Sequence, residues 1–167
     1  MCVYTGYKEG DIMLQIDIPG RNRLELQYLV VDYNGTIARD GILIPGVEER
    51  FLELSSFLQI LVLTADTFGT VRKQCANLPV ELRTFPQEGA AACKAEIVKS
   101  LPGSTVCLGN GFNDILMFQA AALSIAIVEK EGMCASLLPY SDVLVNSPLD
   151  GLDLLMRTNR LRATLRS

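Results

Sequence analysis

Six short apolar runs that do not alternate restrict this chain more than any other feature: Tyr28–Val31, Ile60–Leu63, Val80–Leu82, Thr105–Leu108, Ser124–Val128 and Asp142–Val145. A strand with one face in water alternates apolar and polar side chains, whereas a strand covered on both faces reads as a continuous apolar run. Helical stretches separate the runs. In Pro45–Leu58, Val47, Phe51, Leu54 and Leu58 recur on one face, and Pro45 suits a first helical turn. Phe68, Val71 and Cys75 do the same in Thr67–Asn77. Glu88–Leu101 carries Val98, Leu101 and an alanine-rich face, and Asn113–Ala122 and Leu149–Met156 continue the series. Strand then helix, repeated, predicts an α/β fold: a three-layer, doubly wound, Rossmann-like parallel sheet.

The 167 residues, 49% hydrophobic and 20% charged, suit a single domain. The N-terminal part has a different pattern. Ile12–Ile18 alternates, Pro19-Gly20-Arg21-Asn22 supplies turn residues, and Leu24-Glu25-Leu26 resumes the alternation, which predicts a β-hairpin. The expected division is a hairpin extension over 1–27, a core over 28–157 and a basic tail over 158–167. Arg157, Arg160, Arg162 and Arg166 read as a solvated helix end, with contact to an anionic partner as the sharper alternative. A net charge of −4 and a pI near 4.9 argue against a nucleic-acid partner. Five scattered cysteines without a C-x-x-C pair read as free thiols rather than zinc ligands or a disulfide framework. No secretory leader is recognisable, and no apolar run approaches the roughly 18 residues of a membrane span, so a cytoplasmic protein without membrane contact is expected.

The chain has no histidine. That excludes Ser-His-Asp and Cys-His catalysis, histidine-bound zinc and phosphohistidine chemistry. Proton transfer and metal binding fall to carboxylates, amides, Lys, Tyr or Cys. In a doubly wound sheet, ligands bind beyond the carboxyl ends of the strands. The residues found there are Asp32-Tyr33-Asn34-Gly35-Thr36, then Thr64-Ala65-Asp66, then Lys94 early in the third helix, then Gly109-Asn110-Gly111-Phe112-Asn113-Asp114. Carboxylates, a hydroxyl, one cation and glycine-rich turns with free N–H groups together suit a phosphate and a divalent cation.

In this order the four clusters resemble the motifs of the haloacid dehalogenase-like (HAD) hydrolases, over about 28–145. The similarity is greatest to the phosphorylation domain of P-type ATPases in a free-standing form, whose pattern is D-K-T-G-T, T-G-D, a Lys before I-V-x-x-L, and G-D-G-x-N-D. The resemblance implies that Asp32 is a nucleophile forming an aspartyl-phosphate, that Thr64 binds a phosphoryl oxygen, and that Lys94 neutralises the nucleophile and the transferring group. It implies Mg²⁺ held by Asp32, the backbone carbonyl of Asn34 and side chains of Asn110 and Asp114. Lys99 is the rival for the motif lysine, and Asp66 is expected to cap a helix or support the site.

Two positions depart from the pattern. Asn34 stands where HAD phosphatases carry the acid that protonates the leaving group, and an amide cannot do that. P-type ATPases lack it too and keep a long-lived phosphoenzyme, so the resemblance implies slow turnover. Asn110 replaces the main metal-binding Asp, which implies weak Mg²⁺ binding. Asp32 and Thr64 are 32 positions apart, and Thr64 and Lys94 are 30 apart, which leaves no room for a cap domain. An open site implies a phosphorylated macromolecular substrate, or a homo-oligomer whose neighbour closes it, with the N-terminal hairpin a candidate contact. The alternatives are a binding or regulatory module with little turnover and, more remotely, a metal-independent dehalogenase.

Overall fold

The computed structural model describes residues 12–66 and 69–167. The hairpin forms from β1 (Leu14–Ile16) and β2 (Leu24–Leu26), paired antiparallel with Leu14 opposite Leu26. The core strands are β3 (Tyr28–Asp32), β6 (Gln59–Thr64), β7 (Val80–Thr84), β8 (Thr105–Gly109), β9 (Leu123–Ile127) and β10 (Val143–Val145). A two-stranded flap, β4 (Ala38–Arg39) and β5 (Ile42–Leu43), lies between β3 and helix α1 (Val47–Leu54). The other helices are α2 (Val71–Gln74), α3 (Ala90–Ser100), α4 (Ile115–Ala120), α5 (Pro148–Met156) and α6 (Thr158–Leu165).

The six core strands are all parallel, in the order β10-β9-β8-β3-β6-β7. Every residue of β3, β8 and β9 is buried, which explains why these runs do not alternate. Successive residues feed opposite layers. Leu29, Val31, Ile60 and Val62 pack with Phe51, Leu54 and Leu152 on the α1/α5 side, while Val30, Leu61, Leu63 and Cys107 pack with Val98, Met117 and Phe118 on the α3/α4 side. β7 is different: Glu81, Arg83 and Thr84 are exposed, as suits an edge strand whose charged side chains discourage further pairing.

Several sequence expectations are corrected. Of the helix expected over Thr67–Asn77, only Val71–Gln74 is regular among the described residues; Gly69, at φ +65°, precedes its cap, and Thr67 and Phe68 lie outside the described residues. The helix expected from Asn113 starts as a 3-10 turn, Phe112–Asp114. The stretch read as a basic tail is α6, whose Leu161 and Leu165 are buried in the core. It lies against the hairpin: Arg162 Nε donates to the Asp17 carbonyl at 2.7 Å and Ser167 N to that of Pro19 at 3.3 Å. Ile16, Ile18 and Leu26 of the hairpin join the same core. Cys75, Cys93, Cys107 and Cys134 are free thiols, and Cys2 lies outside the described residues. Among the described residues, no helix is long and apolar enough to cross a membrane.

Candidate active site

From β3 the chain winds one way to β6 and β7 and, after α3, the other way to β8, β9 and β10. This reversal opens a crevice beyond the ends of β3 and β8, where no crossover connection covers the sheet. Asp32 ends β3, Thr64 ends β6 and Asn110 follows β8, so strand register alone delivers three of the expected groups to one place. A cleft of about 220 Å³ lies there, lined by Asp32, Asn34, Thr64, Lys94, Asn110 and Asn113 among others. A more apolar cleft of about 370 Å³ at the other end of the strands, lined by Leu58, Ile60 and Val80, contains no residue of the four clusters.

Lys94 enters from α3. Its neighbours on the buried face of that helix are Ala90, Ala95 and Val98, and the small alanines leave room for a long side chain to cross to the sheet. Its ammonium, 1% exposed, meets Asp32 Oδ1 at 2.6 Å, Asp114 Oδ1 at 2.6 Å and Asn113 Oδ1 at 3.2 Å. Three donors thus face three acceptors. Burial lowers the Lys94 pKa, but Asp32 and Asp114 more than offset it and hold the ammonium charged well above its ordinary range. Burial pushes the Asp32 carboxyl up to about 6; Lys94 opposes this rise and Asp114 adds to it. Lys99, the rival lysine, lies exposed in the last turn of α3.

Asp114, expected among the metal ligands, lies beneath the cleft. It is fully buried, and both its oxygens are engaged: Oδ1 by Lys94, Oδ2 by the N–H groups of Asn110 and Gly111 at 3.0 and 2.8 Å. It shapes the turn after β8 and holds the lysine. A side chain at Gly109 would place Cβ 2.5 Å from Asp114 Oδ2, so glycine is needed there for this close approach.

Thr36 was not singled out from the sequence. Fully buried, its hydroxyl lies 3.2 Å from both Asp32 Oδ2 and Asn110 Oδ1. Asn110 is held from the other side, its Nδ2 donating to the Gly132 carbonyl at 2.9 Å and its own carbonyl accepting from Cys134 N at 2.8 Å. The turn containing Gly132 is tied to the flap by Arg39, which donates to both oxygens of Glu129 at 2.7 and 2.8 Å. Asp66 has the helix-capping role, its Oδ1 accepting from Val71 N at 3.2 Å while its own N–H donates to Thr64 Oγ1 at 2.9 Å.

The fold recurs in known structures. A cobalt-bound deoxy-D-mannose-octulosonate 8-phosphate phosphatase from Haemophilus influenzae superposes with a TM-score of 0.67 over 85% of this chain and 94% of its own, at 13% identity. The fold is that of the HAD-like hydrolases, without a cap. A zinc-transporting PIB-type ATPase in its E2.Pi state matches at a TM-score of 0.55 and 22% identity, over 72% of this chain and 20% of that one. In sequence, an uncharacterized protein of Methanocaldococcus jannaschii is 39% identical over 92 residues, which are 53% of this chain and 99% of the archaeal one. The chain belongs to one family with that protein. No family model matches it. The capless HAD core accounts for what lies between the clusters: only the flap and α1 between β3 and β6, and only α2 and β7 between β6 and α3 among the described residues.

Proposed function

We propose that this protein is a phosphohydrolase or phosphotransferase that works through an aspartyl-phosphate on Asp32 with the help of Mg²⁺, and that it turns over slowly. The observation that carries the reading is the buried Lys94 ammonium between Asp32 and Asp114, lining a polar cleft. The ammonium favours the ionised nucleophile and opposes the charge that builds on a transferring phosphoryl group. Asp32 attacks phosphorus through a carboxylate oxygen, and the bond from phosphorus to the leaving oxygen breaks. Thr64 and Lys94 hold the phosphoryl oxygens. Water then attacks the phosphorus of the acyl-phosphate, releasing inorganic phosphate and regenerating Asp32.

The donor set fits a hard divalent cation. Thr36 has one hydroxyl proton for two acceptor oxygens, Asp32 Oδ2 and Asn110 Oδ1, so one of them lacks a donor. Asn34 Oδ1 is also buried without a partner. Asp32, the backbone carbonyl of Asn34 and the Asn110 amide oxygen would hold Mg²⁺, which supplies charge neutralisation for the phosphoryl oxygens when bound. Asn110 brings an amide oxygen and no charge to this set, so binding is weak. The cobalt in the H. influenzae phosphatase supports divalent metal use.

Slow turnover follows from Asn34, which lines the cleft but can neither protonate a leaving oxygen nor deprotonate water. The same substitution favours a second reading, a module that binds phosphate and turns over little. A phosphatase panel with and without Mg²⁺ separates the two. Release of phosphate from activated esters that vanishes in Asp32→Asn is expected, and its absence from every ester would leave the binding module.

A further inference from the structure

The Asn110 amide has one end that attracts a cation and one that repels it. Its oxygen accepts hydrogen bonds, its NH₂ group donates them, and the two ends have nearly the same size. Unlike a carboxylate, it serves a metal site only when turned one way. In the structure it is turned that way: Oδ1 faces the Thr36 hydroxyl at 3.2 Å, and Nδ2 donates to the Gly132 carbonyl at 2.9 Å.

These two neighbours do not select equally. A hydroxyl both donates and accepts, so Thr36 suits either end of the amide. The Gly132 carbonyl only accepts, so of the two it alone sets the orientation. A reversed amide would set Oδ1 against that carbonyl and turn a donor toward Thr36 in place of the ligand oxygen. Gly35 leaves space for the amide, since a Cβ there would lie 2.4 Å from Asn110 Nδ2.

The Gly132 carbonyl is itself held by a clasp. Gly132 closes a tight turn, its N–H donating to the Glu129 carbonyl at 2.8 Å. The Glu129 carboxylate accepts the Lys130 N–H of the same turn. It also accepts from Arg39 of the flap, whose Nη2 donates to both its oxygens at 2.7 and 2.8 Å. Glu131 Oε1 accepts the Asp40 N–H of the flap at 2.9 Å. Beyond the turn, the Cys134 N–H donates to the Asn110 carbonyl at 2.8 Å. The turn is thus pinned on one side by the flap and on the other by the residue it orients.

We infer that Arg39 and Glu129 are positioning residues: their clasp fixes the Gly132 carbonyl, which turns the Asn110 oxygen toward a divalent cation. A carboxylate at position 110 would need no such device, because both its oxygens accept. The inference rests on the metal-assisted reading for what the oxygen meets, but not for how the amide is held.

The test uses Mn²⁺, which takes the same oxygen ligands as Mg²⁺, with the free ion read by electron paramagnetic resonance. In the full chain, Arg39→Gln and Glu129→Gln should each weaken binding about tenfold to a hundredfold, the usual cost of losing a group that orients a metal ligand. Arg39→Lys should retain part of the affinity. In Asn110→Asp, adding Arg39→Gln should weaken binding no further, whereas general damage to the fold would weaken it in both backgrounds. A second readout needs no metal. The side-chain NH₂ protons of Asn110, assigned as the pair missing from Asn110→Asp, should exchange with water faster in Arg39→Gln than in the unaltered protein by NMR. Unchanged affinity in Arg39→Gln, an equal loss in the Asn110→Asp background, or unchanged exchange would each overturn the inference. No Mn²⁺ binding by the unaltered protein would overturn the metal reading and the cation's part of the inference with it; the exchange rates then decide the clasp.

Discussion

Replacing Lys94 by Met probes stability and chemistry together, because Met fills similar volume and removes only the charge and its donors. In the structure the ammonium makes two contacts of 2.6 Å to carboxylates that are 12% and 0% exposed. Without it, Asp114 keeps the N–H groups of Asn110 and Gly111, but Asp32 keeps only Thr36. Breaking a buried pair in this way leaves an uncompensated charge and costs about 3–5 kcal/mol. For a chain of this size that is roughly 6–20 °C in Tm. The cost depends on pH in a defined direction. Burial already raises the Asp32 pKa to about 6, and losing Lys94 raises it further. A carboxyl whose folded-state pKa is raised contributes stability below its unfolded value and loses it as pH rises through the folded one. Lys94→Met should therefore lose more stability at pH 8 than at pH 5, where a proton on Asp32 replaces the missing ammonium. Urea denaturation of both proteins at the two pH values measures this. A loss below about 1 kcal/mol at pH 8, well short of the buried-pair range, or an equal loss at both pH values, would refute the reasoning.

Asp32→Asn removes the surplus buried charge and leaves Lys94 paired with Asp114. By the same linkage it should be more stable than the unaltered protein at pH 8, by up to about 3 kcal/mol, with the gain fading as pH falls through 6 toward 4 in chemical denaturation. Asn34→Asp restores a proton donor in the cleft and should raise steady-state turnover by about a hundredfold, within the usual range for general acid–base help; an unchanged kcat would remove Asn34 as the cause of slowness. Asn110→Asp adds a charge beside Thr36 and should tighten Mg²⁺ binding at least about tenfold by titration, as charge count tunes such sites; tight binding by the unaltered protein would contradict the weak-site argument.

The parts of this molecule that follow from short-range pattern were legible in its sequence. β3, β6, β8 and β9 appear as unbroken apolar runs because helices cover both their faces, and Asp32, Thr64 and Asn110 were found because a strand end fixes where the next residue lies. Lys94 was separable from Lys99 because the two lie five residues apart on α3, which puts one toward the sheet and the other at the exposed end. Asp114 was assigned the wrong neighbours. Its engagement by two N–H groups depends on how the turn after Gly109 closes, and nothing in G-N-G-F-N-D shows that the carboxylate folds back under its own loop. Thr36 was named in the cluster after β3 but given no role; its importance lies in reaching Asn110, 74 positions away. The short α2 and the packed α6 were misjudged for opposite reasons. Gly69 interrupts a good apolar pattern, and four arginines mask the spacing of Leu161 and Leu165.

The central claim is that Asp32 becomes phosphorylated. The most direct measurement is to incubate the protein with Mg²⁺ and an activated phosphate such as acetyl phosphate, quench in acid, and locate the modification by peptide mass spectrometry. The account predicts a phosphoryl group on Asp32 that hydroxylamine releases, that persists because Asn34 cannot activate water, and that is absent from Asp32→Asn. A phosphoryl group elsewhere, or none on Asp32 while phosphate is being released, would contradict it.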